Sequence, residues 1–87
     1  MRVAVWDTYV KKSNGQVMHF DILAPEAIAE QEIIFNFGKQ YLERKGQPGS
    51  IISADECRFC HIAAAPQNII DDITANGFSI IEMENCN

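Results

Sequence analysis

Residues 2–23 read Arg2-Val3-Ala4-Val5-Trp6-Asp7-Thr8-Tyr9-Val10, then Lys11-Lys12-Ser13-Asn14-Gly15, then Gln16-Val17-Met18-His19-Phe20-Asp21-Ile22-Leu23. The two outer runs, 2–10 and 16–23, are rich in β-branched and aromatic residues, which suits a pleated, half-buried surface. Between them, Asn14 and Gly15 tolerate the positive φ that a type I′ turn demands, and that turn matches the twist of paired strands. The stretch therefore predicts an N-terminal β-hairpin. With Asn14-Gly15 as the two turn residues, Ser13 faces Gln16, Val10 lies opposite His19 and Thr8 opposite Asp21. A change of one residue in loop length would turn every side chain to the other face.

Downstream, Pro25 and Glu26 suit the first turn of a helix, through the fixed φ of proline and the positive end of the helix dipole. The helix is expected to run to about Lys45, with Ile34, Phe37, Gly38, Tyr41 and Leu42 on one apolar stripe and Glu32, Asn36, Lys39 and Glu43 on the other side. Gly46 supplies a left-handed cap, and Gln47-Pro48-Gly49 stops continuation. Ser50-Ile51-Ile52 reads as a third strand. Ser53-Ala54-Asp55-Glu56 fits an S-x-x-E capping box, so a helical turn is expected over the cysteines that follow. Pro66 opens another helix, ended by Asn76-Gly77, and Phe78 to Met83 is the last strand. The expected architecture is a single α+β domain over residues 1–87, a two-layer sandwich with a four-stranded sheet in the order ββαβ(α)αβ. Its long connection between the third and fourth strands would be right-handed if those strands ran parallel.

At 87 residues, 47% of them hydrophobic and 22% charged, the chain lies in the globular range. Seven Lys and Arg against twelve Asp and Glu leave a formal charge of -5 without a basic cluster. Nucleic acid and anionic membrane surfaces would be repelled. The N-terminus enters a strand directly instead of an apolar leader, and no stretch is long and apolar enough to span a bilayer. The expectation is a cytoplasmic protein, in which three cysteines are more naturally metal-binding, redox-active or buried than disulfide-bonded.

The densest chemistry lies in Cys57-Arg58-Phe59-Cys60-His61, together with Cys86 near the C-terminus. Three thiols and an imidazole form a tetrahedral ligand set suited to zinc and, less well, to iron. On a helical turn, Cys57, Cys60 and His61 would share one face at i, i+3 and i+4. Cys86, or alternatively His19, would complete the site. The metal-free alternatives are three buried reduced thiols, or a thiol–disulfide redox pair made by Cys57 and Cys60 at a helix start. C-x-x-C-H also matches the attachment pattern for c-type haem, but that needs export and a cavity for a porphyrin. Asp7, Thr8, His19 and Asp21 are a weaker constellation. They gather near the hairpin as an acid–base cluster in one register, and otherwise dot a solvated strand face; no nucleophile-elbow serine accompanies them.

At Asp7-Thr8-Tyr9-Val10, His19-Phe20-Asp21, Glu56-Cys57-Arg58-Phe59-Cys60-His61 and Met83-Glu84-Asn85-Cys86-Asn87, the sequence resembles a small bacterial family of domains of unknown function, number two thousand and twenty-four. The likeness spans nearly the whole chain. It implies a small cytoplasmic α+β protein and brings no activity, substrate or catalytic residue. The reading from the residues is a small soluble domain whose Cys57/Cys60/His61/Cys86 cluster holds structural zinc and which presents a surface to a protein partner. The alternative is a thiol–disulfide redox protein or sensor using Cys57 and Cys60. Whether the chain is an enzyme is left open by these residues.

Overall fold

Lys12 and Gln16 close the hairpin around Ser13-Asn14-Gly15. The Lys12 N–H donates to the Gln16 carbonyl at 2.7 Å, and the Gly15 N–H to the Lys12 carbonyl at 3.0 Å. The Asn14 side-chain oxygen accepts from the Gln16 N–H at 2.9 Å, and Gly15 sits at φ +90°, where a side chain would be strained. This is a three-residue loop, one residue longer than the two-residue turn expected from Asn14-Gly15. In this computed structural model, which describes residues 1–47, 52 and 55–86, the extra residue moves the pairing by one step. Val10 pairs with Met18, Tyr9 with His19, Thr8 with Phe20 and Asp7 with Asp21. The expected partners Val10–His19 and Thr8–Asp21 are therefore corrected, and residues of the same parity now share a face.

The elements in chain order are β1 (Arg2–Lys11), β2 (Val17–Pro25), α1 (Gln31–Arg44), β3 (Cys57–Ala64), α2 (Gln67–Asn76) and β4 (Ser79–Glu84). They form an α+β fold with one four-stranded sheet in the order β3-β1-β2-β4. Every neighbouring pair is antiparallel. β3 and β4 occupy opposite edges, so the condition for a right-handed crossover between parallel neighbours does not arise.

Three element assignments differ from expectation for physical reasons. Pro25 ends β2 instead of opening the helix: Ala24 and Pro25 stay paired with Ala4 and Val3, and proline is tolerated at a strand end where no further ladder N–H is needed. α1 consequently begins at Gln31. The expected third strand at Ser50–Ile52 and the first half of the capping box fall mainly outside the described residues, and Ile52 itself is not in a strand. Cys57–Ala64 is the third strand instead of a helical turn. It satisfies the backbone edge of β1, pairing Thr8 with Cys57 and Val5 with His61, a tertiary demand that overrides a local helix signal.

The even-numbered side chains of the hairpin, among them Trp6, Val10, Met18, Phe20 and Ile22, build the main core against Ile34, Tyr41 and Leu42 of α1. At Gly38 a side chain would crowd the core: a Cβ there would stand 3.0 Å from the Ile22 Cδ1 and 2.5 Å from that of Ile52. The odd-numbered face is different. Val3, Val5 and Leu23 are buried against Ile69 and Ile73 of α2, which covers only that end.

Candidate functional site

Beyond the end covered by α2, the odd face continues into Asp7, Tyr9, His19 and Asp21. Cross-strand pairing sets Asp7 beside Asp21 and Tyr9 beside His19. The next row places Arg58 of β3 opposite Asp7 and Ile81 of β4 opposite Asp21. The His19 Nε2 lies 2.5 Å from the Asp7 Oδ1, and the Tyr9 ring stacks on the imidazole at a centroid distance of 4.2 Å. One ligand atom from each of Asp7, His19 and Asp21 lies within 4.8 Å of the other two, and all three residues are partly buried. Side-chain exposure is 20% for His19 and 37% for Asp7, so the group is neither solvated freely nor sealed.

The electrostatics follow from this packing. Burial, then the Asp7 charge and a hydrogen bond with Asp7, push the Asp21 carboxyl above the usual range, while His19 and His61 pull it down. Two carboxylates placed side by side repel when both are ionised, and they call for a proton or a cation between them. The Asp7 charge, together with slight burial, Glu84 and Asp21, likewise raises the Tyr9 phenol.

A cavity of about 300 Å³ adjoins the cluster under α2. Its walls include Val3, Val5, Leu23 and Ile69, and Asp21 and His61 stand among its lining. The arrangement is a largely apolar cleft with a few polar groups, at the lower end of the usual ligand-site volume.

The cysteines expected to form a metal centre are dispersed. Cys57 is fully buried in the main core, where the Thr8 Oγ1 lies 3.3 Å from its Sγ. Burial pushes its thiol up, and the Thr8 hydroxyl pulls in the opposite direction. Cys86 is buried beyond β4 and donates to the carbonyls of Glu84 at 3.2 Å and His19 at 3.4 Å. Cys57 therefore packs beside Thr8 of β1 and Cys86 beside the His19 carbonyl of β2, each thiol with its own partner. Cys60 and His61 are exposed on β3. Among the described residues Asp7, His19 and Asp21 are the one group of three that gathers closely enough to share an ion; of Cys57, Cys60, His61 and Cys86, only Cys60 and His61 come together, at 3.2 Å. The reason is the strand: it replaces the i, i+3, i+4 face of a helix with alternating faces. His19 does enter a cluster, with aspartates in place of cysteines. Strand geometry also separates Cys57 from Cys60 by roughly 10 Å of rise, beyond the Cα reach of a disulfide. All three cysteines are free.

The Asp7–His19–Asp21 group was within reach of sequence reasoning, since these residues alternate along two strands joined by a short loop. The missing signal was loop length, because the two-residue turn put Thr8 where Asp7 belongs. Thr8 is instead fully buried on the opposite face.

Comparison with known proteins places this geometry in context. A family model described as a domain of unknown function (DUF2024) matches residues 1–83. The NMR structure of a protein from Nitrosomonas europaea, a structural genomics target, is similar at 41% sequence identity with a TM-score of 0.86, and the match covers 100% of each chain. Comparison with curated proteins finds no match.

Proposed function

We propose, for a chain that belongs to the DUF2024 family of domains of unknown function, that the protein binds one divalent first-row cation, zinc foremost, through Asp7, His19 and Asp21. The observation that carries this reading is the convergence of two carboxylates and an imidazole within 4.8 Å on a partly buried strand face. Imidazole and carboxylate together suit zinc, manganese or iron. A cation would offset both the burial and the Asp7 charge that raise the Asp21 carboxyl. Three protein ligands leave at least one coordination position for water or a substrate, unlike the closed four-ligand site expected of Cys57, Cys60, His61 and Cys86. Tyr9 and Ile81, both exposed on this face, give the metal a partly apolar surround and support the further proposal that a protein partner docks on the same face.

Isothermal titration with zinc tests the reading. The wild-type protein takes up one equivalent. Asp21→Asn and His19→Ala each weaken binding by about a hundredfold, at least as much as the loss of a supporting second-shell group. Cys57→Ser and Cys86→Ser bind as wild type does. Cobalt(II) supplies the complementary readout, because thiolate ligands give intense near-ultraviolet charge-transfer bands that a carboxylate–imidazole site lacks. Strong bands lost in the cysteine variants would replace this reading with a thiolate centre.

A further inference from the structure

Cys60 stands apart from the other two thiols. Cys57 is buried beside Thr8 and Cys86 is buried donating to main-chain carbonyls, whereas Cys60 is exposed. It lies where the β1–β3 register shifts: Val5 pairs with His61 and Trp6 with Phe59, leaving Cys60 as the extra residue of a bulge. In a regular strand, Cys60 and His61 would point to opposite faces. A bulge re-aims a side chain, and here it leaves the Cys60 Sγ 3.2 Å from the His61 Nδ1. His61 also lines the cavity of about 300 Å³ under α2, which it shares with Asp21 and the apolar side chains of Val5, Leu23 and Ile69. A thiol, a base within hydrogen-bond reach and an adjoining apolar recess are the parts of a nucleophilic site.

We propose that Cys60 and His61 form a nucleophilic thiol–imidazole pair acting on small disulfides that carry an apolar or aromatic substituent, which the recess under α2 accommodates. With its own proton on Nε2, His61 accepts the Cys60 thiol proton at Nδ1. The Cys60 Sγ then attacks one sulfur of the substrate. The new S–S bond forms as the old one breaks, its electron pair leaves on the second sulfur, and His61 returns the proton to that leaving thiolate. The products are a Cys60 mixed disulfide and one free thiol, with no net oxidation beyond that carried by the substrate. Cys57, roughly 10 Å along the strand, does not resolve the mixed disulfide, which persists until an external thiol attacks it. The pair shares no residue with the proposed cation ligands of β1 and β2, although Asp21 lines the same recess as His61 and feels its charge.

The test follows the full chain, reduced and stripped of metal, reacting with dithiodipyridine, a neutral aromatic disulfide whose released thiopyridone is read by absorbance. One equivalent per chain reacts in a fast phase whose rate saturates with reagent concentration. Cys60→Ser removes that phase. His61→Asn keeps its one-equivalent amplitude but slows it by about a hundredfold or more, the lower range of what a positioned base contributes. Mass spectrometry of the product places the adduct on the peptide containing Cys60. Equal rates for wild type and His61→Asn would reduce Cys60 to an accessible but unactivated thiol. A fast phase surviving in Cys60→Ser would assign the reactivity to another cysteine. A rate strictly linear in reagent would remove the recess from the proposal.

Discussion

The two faces of the central hairpin come from the same alternating run of residues and meet different fates. The even face, from Ala4 through Phe20 to Ala24, is apolar except for Thr8 and is covered by α1. The odd face is apolar at Val3, Val5 and Leu23, where α2 covers it, and becomes charged at Asp7, His19 and Asp21. The difference separates two jobs. One face stores stability, and the other stores it at one end while leaving two carboxylates and an imidazole in contact at the other, an arrangement that costs electrostatic energy unless something neutralises it.

Phe20→Ala should be the most damaging substitution on either face. Phe20 is fully buried at the centre of the even face and packs on Tyr41 at a centroid distance of 4.7 Å. The expected loss is about 3–5 kcal/mol in urea unfolding, a large fraction of the stability of a small domain. Leu23→Ala on the covered odd face should cost less, about 2–3 kcal/mol, and amide exchange should localise the weakening to α2 and its strand neighbours. A loss equal to that of Phe20→Ala would mean that the two faces share one core.

Smaller changes probe the polar links. The Glu82 carboxylate accepts from the Tyr41 hydroxyl at 2.5 Å and from the Lys45 ammonium at 2.9 Å. The hydrogen bonds of Tyr41 and Lys45 hold its carboxyl below the ordinary value of 4.5. Because the folded-state value is depressed, this contribution is complete above the unfolded value and is lost as pH falls through the folded one. Glu82→Gln should therefore cost about 0.5–1 kcal/mol at neutral pH, and the gap from wild type should close in unfolding curves recorded at progressively lower pH beneath 4.5. Asp21→Asn, measured with chelator present, should give the smallest change and the opposite sign. It removes a partly buried charge beside Asp7, so the thermal midpoint should rise. A fall would show that the ionised Asp21 is net stabilising without a cation.

The α+β class, the hairpin and both helices were legible because apolar periodicity and proline–glycine punctuation are local signals. The register was not: whether Ser13 belongs to the ladder or to the loop is decided by closure between Lys12 and Gln16, and that one residue exchanges Thr8 for Asp7 on the polar face. β3 was hidden for a related reason. Cys57–Ala64 follows a sound helix-start signal, and only the unpaired edge of β1 draws it into the sheet. The C-x-x-C-H motif thus implied one helical face, whereas the strand divides its residues between the core, a bulge and the rim of the recess.

The most direct measurement is a zinc titration of isotopically labelled protein, followed by nitrogen–proton correlation spectra and by the ring signals of His19 and His61. Saturation is expected at one equivalent, with the largest changes at Asp7, His19 and Asp21 and their strand neighbours, and Asp21→Asn should need about a hundredfold more free zinc to give the same response. Changes centred on Cys57, Cys60, His61 and Cys86, or spectra unaffected by zinc, would contradict that expectation.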